Sequence, residues 1–373
     1  MESNALADES RGVYDGIVSS LEAAMAGEGQ HYRSTECGPI EVNCFSICFW
    51  ATLTGPAGMK QVYVKVPKVI FYDKEKETLG DLSDDDITLA EDEYESLVYL
   101  SRHWDGDDIG VTFVKPLGFI REFNAIITER VMAEYLFRKY RRADLWRRLL
   151  GRIQAEDPVP DAMSRLGEAL GRFHRRSGGP VVCHVDPILE KINGYMFELR
   201  GYGVNSAYLG KIARRLNRSK HLRLTSSRAV NLKGIDIRQV FVDGHSTLYI
   251  LDPGKMKHGC REVDLARFVV TCRVLYWGSA AILFRLTPSS RYEESFLTAY
   301  AQANGASETA LGILIVKELF KHWRMAHVSL EKRRWPRFYK VLLKKVYVDP
   351  FFKQQVSIAL SKWETVGGLR TGH

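Results

Sequence analysis

Apolar and polar positions along residues 31–130 follow a period of two, the spacing of strands. IEVNCFSICFWATL (40–53) and KQVYVKVPK (60–68) flank a Gly-Pro-Ala-Gly turn at 55–58, and together they predict an antiparallel hairpin. GVTFVKPLGF (110–119) and NAIITERV (124–131) predict further strands. Between them the period changes. LAEDEYESLVYLSRHW (89–104) sets Leu89, Tyr94, Leu97 and Leu100 at helical spacing, and the acidic stretch DLSDDD (81–86) before it reads as a turn-rich loop. From about residue 131 the texture turns helical. AMSRLGEALGRFHRRSGG (162–179) aligns Met163, Leu166, Leu170 and Phe173 on one face and stops at Gly-Gly. Residues 262–362 again read as mainly helical. The pattern therefore predicts an α+β chain, with a β-sheet region holding one helix followed by a larger helical region.

One break in the helical half carries chemistry. The apolar runs VFV (240–242) and LYIL (248–251) meet at Asp243-Gly244 and read as a hairpin. Asp236 precedes it, and Asp252 follows it on a sharp Asp-Pro-Gly turn that leaves a carboxylate exposed to a metal ion. Asp264 lies farther on, in Asp-Leu-Ala. In the first half, Lys65 alternates with valines in V-Y-V-K-V, which packs its stem among apolar neighbours and leaves its ammonium able to hold phosphates. A lysine on the solvent face of a half-buried strand is the plainer reading of VYVKV alone. Glu93, with Leu97 and Leu100 behind it, is favoured over Glu95 as its partner.

Composition narrows the class. The 373 residues are 45% hydrophobic and 26% charged, ordinary for a folded soluble protein and long enough for two lobes or two domains. No run approaches the ~20 apolar residues of a membrane-spanning helix. VLYWGSAAILF (274–284) reads as a buried helix segment, and the polar, acidic N-terminus is no secretory signal. The six cysteines lack Cys-x-x-Cys spacing, Cys44 and Cys48 read as small buried thiols, and the pattern suits a reducing cytoplasm. The net charge of +8 concentrates at 136–152 and 317–345, where Lys and Arg interleave with aromatics. Solvated helix faces, an anionic membrane or glycolipid surface, and nucleic acid compete as explanations, in that order. No nucleic-acid motif accompanies the charge.

The ordered set V-K-V, E-x-x-x-L-x-x-L, T-E-R-V, L-G-x-x-L-G-R-F-H, D-x-x-x-V-F-V, L-D-P-G and D-L-A resembles the aminoglycoside phosphotransferase and choline kinase branch of the protein-kinase-like superfamily, over roughly residues 35–300. The resemblance implies a two-lobed kinase-like fold, with an N-terminal extension (1–30), a nucleotide-binding N-lobe (31–130) and a helical C-lobe with a catalytic hairpin and basic C-terminal helices (131–373). It implies ATP and Mg²⁺ as cofactors. Lys65 and Glu93 would hold the nucleotide phosphates, and Glu129 to Val131 would form the hinge whose backbone meets the adenine. Asp252, with Gln239, would bind the metal, and Asp236 would orient the acceptor hydroxyl and take its proton. His174 would be structural, and Asp264 would cap a helix at 265–272 or brace the catalytic loop.

The chain departs from the family at that loop. The family shows His-Gly-Asp, four residues, then Asn, whereas this chain reads Lys233-Gly234-Ile235-Asp236-Ile237-Arg238-Gln239-Val240. Gln offers the amide oxygen of Asn on a longer arm. His184-Val185-Asp186-Pro187 with Asn193 is a rival placed too far ahead of Asp252. No Gly-x-Gly-x-x-Gly or P-loop occurs, and Gly38-Pro39 with residues 43–46 fall where the family has its phosphate-covering loop. The expected function is ATP-dependent phosphotransfer to a hydroxyl of a small molecule, sugar or saccharide-bearing lipid, in the cytoplasm or peripherally at the inner membrane surface. The short stretch from Asp252 to Asp264 leaves no room for a protein kinase's activation segment. A pseudokinase-like scaffold and a nucleic-acid-binding protein are the alternatives.

Overall fold

The computed structural model describes residues 14–23, 32–42, 46–56, 58–68, 82–104, 106–139, 142, 158–176, 178–220, 222–232, 235–274, 290–333 and 335–366. The expected helix segment at 274–284, all but its first residue, and most of the basic stretch 136–152 lie outside them. In chain order the elements begin with a helix at 14–23 (α1). Next come β1 (Arg33–Cys37), β2 (Glu41–Val42), β3 (Ser46–Gly55), β4 (Gly58–Pro67), α2 (Asp84–His103), β5 (Val111–Phe113), β6 (Pro116–Ile120), β7 (Ala125–Glu129) and β8 (Glu134–Tyr135). The middle of the chain holds α3 (Val159–Arg176), β9 (Pro180–His184), α4 (Asp186–Gly201), α5 (Ser206–Asn217), β10 (Arg223–Leu232), β11 (Val240–Val242), β12 (Leu248–Ile250) and β13 (Met256–Cys260). The last elements are α6 (Glu262–Val274), α7 (Ser290–Asn304), α8 (Glu308–Lys332), α9 (Arg337–Leu343) and α10 (Asp349–Val366).

The chain divides into two compact units. The first comprises Met1–Trp104, Thr112–Ala133 and Asp243–Met256. Its antiparallel sheet runs β1-β3-β4-β7-β6, with β2 beside β3. The expected hairpin is present, with Gly55 opposite Gly58 at its tip, and Gly58 needs its positive φ of 101° to close that turn. Alternation along β4 sends Val62, Val64 and Val66 into a core with Ile47, Phe49, Ala51 and Leu53 of β3 and with Ile17 and Leu21 of α1. Each of the Val, Ile, Leu and Phe side chains contributes roughly 1.5–3 kcal/mol by leaving water. Lys65 therefore points to the opposite face.

The helix on that opposite face begins earlier than the acidic stretch suggests. Ser83 caps α2 by accepting from the Asp86 N–H (3.2 Å), and the Asp86 carboxylate reaches back to the Ser83 N–H (3.0 Å). Asp84, Asp85 and Asp86 are thus the first helical turn, where carboxylates meet the positive end of the helix dipole, and the expected loop is shorter than read. Of the four residues expected on one face, Leu97 and Leu100 are buried and Leu89 and Tyr94 half-buried, and Ala90 and Glu93 complete the buried side.

The second unit comprises Asp105–Val111, Glu134–Val242 and Lys257–His373, and most of it is helical. Helices α3 and α7 approach closely because α3 offers glycines. A Cβ on Gly167 would stand 2.2 Å from the Phe296 carbonyl oxygen, and one on Gly171 2.7 Å from the Ala303 side chain. Met163, Leu166, Leu170 and Phe173 of α3 are all buried. A three-stranded sheet, β13-β10-β9, carries the chain toward Asp236, and β11 pairs with β8 through Phe241 opposite Tyr135. Among the described residues, no helix is long and apolar enough to cross a membrane.

Candidate active site

In the first unit, three residues picked out by the sequence meet. Lys65 on β4 donates to Glu93 Oε1 at 2.6 Å, and its ammonium lies 3.3 Å from Asp252 Oδ2. The Glu93 side chain is 5% exposed and that of Asp252 30%, so the lysine links a sequestered carboxylate to an accessible one. Glu95 is exposed, which settles the choice of partner on α2. Burial works against the Lys65 ammonium, but Asp252 and Glu93 outweigh it and hold the group above its ordinary value. Burial, then the nearby Asp252 charge, push Glu93 up to about 7, against the pull of Lys65.

Asp252 is placed by its turn. It follows β12 directly, and Gly254 adopts the left-handed conformation (φ 58°) that only glycine takes without strain. Beyond the turn, Lys255 reaches back to Asp92 on α2 at 2.8 Å. Adjacent carboxylates of one helix thus hold two lysines, one on β4 and one just after the Asp252 turn. The Lys255–Asp92 pair escaped sequence reading, although both residues adjoin singled-out positions. Behind this cluster Ala90, Leu97, Val114 and Ile126 form an apolar layer, with Tyr94, Phe119, Val131, Tyr249 and Leu251 packed against it.

The expected hinge residues end β7. The Glu129 N–H donates to the Lys115 carbonyl (3.0 Å), its side chain accepts from the Lys115 N–H (3.0 Å), and the Arg130 N–H donates to the Gln61 carbonyl (3.1 Å). This backbone is therefore fixed from both sides, while Val131 packs on the apolar layer.

Asp236 and Gln239 belong to the second unit. Asp236 caps a single 3₁₀ turn, Ile237–Gln239. Its carboxylate accepts from the Arg238 N–H at 2.9 Å and from Arg238 Nε at 2.9 and 3.0 Å, and it also pairs with Arg238 Nη2. A guanidinium gripping both carboxylate oxygens is a strong, directional contact, and the Asp236 hydrogen bonds raise Arg238 further. Asp236 is 12% exposed at its side chain and Arg238 52%, so the arginine covers the acid. Gln239 is half-buried.

Asp264 supports the strand that leads to this turn. It sits in the first turn of α6, fully buried, accepting from the Leu232 N–H at 2.7 Å, while Arg267 Nη1 donates to the Leu232 carbonyl at 3.2 Å. Of the two roles left open for Asp264, the geometry selects the brace. His174 joins it, with Nε2 3.2 Å from Asp264 and Nδ1 2.9 Å from the Tyr300 hydroxyl, which makes it a structural residue. The rival His184 to Asn193 set forms no cluster: Asp186 opens α4 and Asn193 is exposed.

Asp252 offers a hard carboxylate oxygen open to solvent, the donor type that Mg²⁺ takes, and no group of three or more His, Cys, Asp or Glu that could hold a metal ion is found among the described residues.

No protein-family model matches the chain, and no curated protein matches its sequence. Solved structures do. A glucosamine kinase in complex with glucosamine, ADP and inorganic phosphate aligns at a TM-score of 0.54 and 11% identity, over 96% of this chain and 88% of that one. A choline kinase from Streptococcus pneumoniae aligns at 0.45 and 13%, over 94% and 99%. A type I macrolide 2'-phosphotransferase aligns at 0.48 and 13%, over 92% and 96%. The likeness to the glucosamine kinase gives this chain a protein-kinase-like fold, with an N-terminal sheet region and a larger helical region.

Proposed function

We propose that this protein is an ATP-dependent phosphotransferase acting on a hydroxyl of a small molecule, sugar or saccharide-bearing lipid. The observation that carries the reading is the Lys65–Glu93–Asp252 constellation. A lysine held between a buried and an exposed carboxylate is suited to meet nucleotide phosphates, and it stands on a fold shared with a kinase solved with ADP and an amino sugar. Fold alone hosts many chemistries, so the weight rests on the residues.

In this reading Lys65 neutralises the α- and β-phosphates and Glu93 fixes its direction. The backbone from Glu129 to Val131 takes the adenine. Asp252 and Gln239 would hold Mg²⁺, which when bound would neutralise charge on the phosphates. Asp236 orients the acceptor hydroxyl and takes its proton as the oxygen forms a bond to the γ-phosphorus, and the bond from that phosphorus to ADP breaks. Arg238 must release Asp236 for that last role.

The Arg238 clamp favours a second reading, a nucleotide-binding scaffold without turnover. ATP consumption with a panel of hydroxyl acceptors separates the two. Turnover abolished by both Asp252→Ala and Asp236→Ala supports the enzyme, whereas nucleotide-induced thermal stabilisation with no turnover supports the scaffold. A saccharide-bearing anionic lipid is the finer reading of the acceptor, and it rests on the basic charge of 317–345.

A further inference from the structure

Late in the sequence, fifteen residues carry most of the chain's excess charge. Residues 332–346, KRRWPRFYKVLLKKV, hold seven Lys and Arg and no Asp or Glu, against a net +8 for the whole protein. A basic run on a solvated helix needs no explanation when its other residues are polar. Here they are not. Helix α9 buries none of its residues, yet it carries Phe338 at 75% exposure, with Tyr339, Val341 and Leu342 also exposed, and Val346 beyond it is 56% exposed. Phe338 and Leu342 are one helical turn apart and share a face.

The chain at this point is also shaped. After α9 the backbone widens into a π-helical turn, Lys344–Val348, a distortion that recurs at functional sites. Lys344 at its start lies over the Tyr202 ring (5.6 Å) and pairs with Glu331. Lys340 donates to the Glu331 carbonyl at 2.6 Å. Around them opens a cavity of about 600 Å³ lined by Tyr202, Glu331, Trp335, Arg337, Lys340 and Lys344. Three cations and two aromatic rings face one carboxylate there, so the hollow is set up for an anion attached to something that can lie against a ring.

We propose that α9 and the π-helical turn form a docking surface for an anionic lipid bilayer, with a phosphate-bearing headgroup in the hollow between Tyr202, Trp335 and the three cations. The choice of occupant follows from the mixture of side chains. Exposed Val and Leu beside Lys and Arg, with Trp and Tyr between, is the composition of a helix lying in a membrane interface. Nucleic acid would use the cations and rings but gives no account of Leu342 and Val346. The surface deepens the acceptor reading above, since a kinase held on an anionic membrane has lipid-borne hydroxyls within reach. Binding to the bilayer does not depend on transfer and is measured without ATP.

The test is co-sedimentation of the full chain with vesicles of phosphatidylcholine and phosphatidylglycerol, against vesicles of phosphatidylcholine alone. Binding is expected for the mixed vesicles only. Arg337→Glu with Lys345→Glu should weaken it at least about tenfold, and Phe338→Ser with Leu342→Ser should weaken it separately without lowering the melting temperature. Each pair covers for the other if one fails to fold. Equal binding to neutral vesicles, no binding to either, or indifference to both pairs would overturn the proposal. Displacement from mixed vesicles by inorganic phosphate at constant ionic strength would assign the hollow to a soluble anion, and displacement by a short DNA duplex would assign it to nucleic acid; either result also overturns it. A chain that transfers no phosphate can pass this test, and an active one can fail it.

Discussion

The two acidic centres of this protein are built on opposite principles. Around Asp252 the carboxylate is accessible and its cationic partner, Lys65, is shared with a sequestered glutamate, so the lysine is already held in one direction. Around Asp236 the carboxylate is the sequestered member and its arginine is the exposed one. The first arrangement is open to a ligand as it stands, and the second becomes so only when Arg238 moves. Two Asp residues sixteen positions apart, both after apolar segments, therefore differ in readiness. The difference lies in the cation each one meets: Asp236 is gripped by the arginine of its own turn, whereas Asp252 faces a lysine from strand β4.

The largest expected effect separates the centres by function. Asp236→Asn should lower phosphoryl transfer by about 10²-fold or more while leaving nucleotide-induced thermal stabilisation intact. Asp252→Asn should remove both. A variant pair that behaves alike in the two assays would dissolve the distinction. Arg238→Ala sharpens it from the other side, because freeing Asp236 should raise transfer about tenfold. An unchanged rate would mean that the guanidinium leaves without cost when the acceptor arrives.

Stability comes next. Asp264→Ala strips a fully buried carboxylate from the Leu232 N–H and from His174, and should destabilise the fold by about 3 kcal/mol in denaturant titration. Its effect on ATP affinity should be slight, since Asp264 braces the strand before Asp236. Loss of ATP binding in a variant that remains folded would show that the brace serves both centres.

The pH dependence of stability, measured without metal or nucleotide, should carry opposite signs in the two units. Folded Glu93 keeps its proton up to about 7, against an ordinary value of 4.5, because burial and then the Asp252 charge disfavour its ionised form. The folded chain binds more protons in that window, so this contribution falls as pH rises from 4.5 to 7. His322, whose surroundings include Arg238 and Asp236, is lowered from 6.5 to about 4, chiefly by burial. The folded chain binds fewer protons there, so its contribution is lost as pH falls from 6.5 to 4. Each limb is on the order of 3 kcal/mol at most. Glu93→Gln should flatten the first and His322→Gln the second, and crossed effects would refute the assignment.

Much of this was legible before the structure. Period-two alternation in VYVKV predicts that Lys65 faces away from the valines, and helical spacing with Leu97 and Leu100 predicts that Glu93 is buried with them. Both hold because local periodicity decides which face a side chain takes. The start of α2 was misread because three consecutive Asp residues look like a loop until Ser83 and Asp86 are recognised as a reciprocal cap. The Arg238 clamp and the Lys255–Asp92 pair stayed hidden for another reason. Each depends on where a long side chain comes to rest, and neither periodicity nor spacing carries that. Asp264 was recognisable by its Asp-Leu-Ala context, but its choice between cap and brace needed a contact 32 residues away.

The smallest expected effect bounds the lysine network. Asp92→Ala removes the partially exposed pair with Lys255 and should cost less than about 1 kcal/mol, with ATP affinity changed by about twofold at most. A larger loss would promote that pair from a tether of the Asp252 turn to part of the nucleotide site.

Lys65 is the residue on which a nucleotide site most directly depends. Isothermal titration of Mg²⁺·ATP into the full chain should give saturable one-to-one binding. Lys65→Met, with its fold verified by thermal melting, should weaken that binding at least about tenfold, the loss of one well-placed charge on phosphate. No binding to the parent chain, or equal affinity in the folded variant, would contradict the claim that Lys65, Glu93 and Asp252 form a nucleotide site.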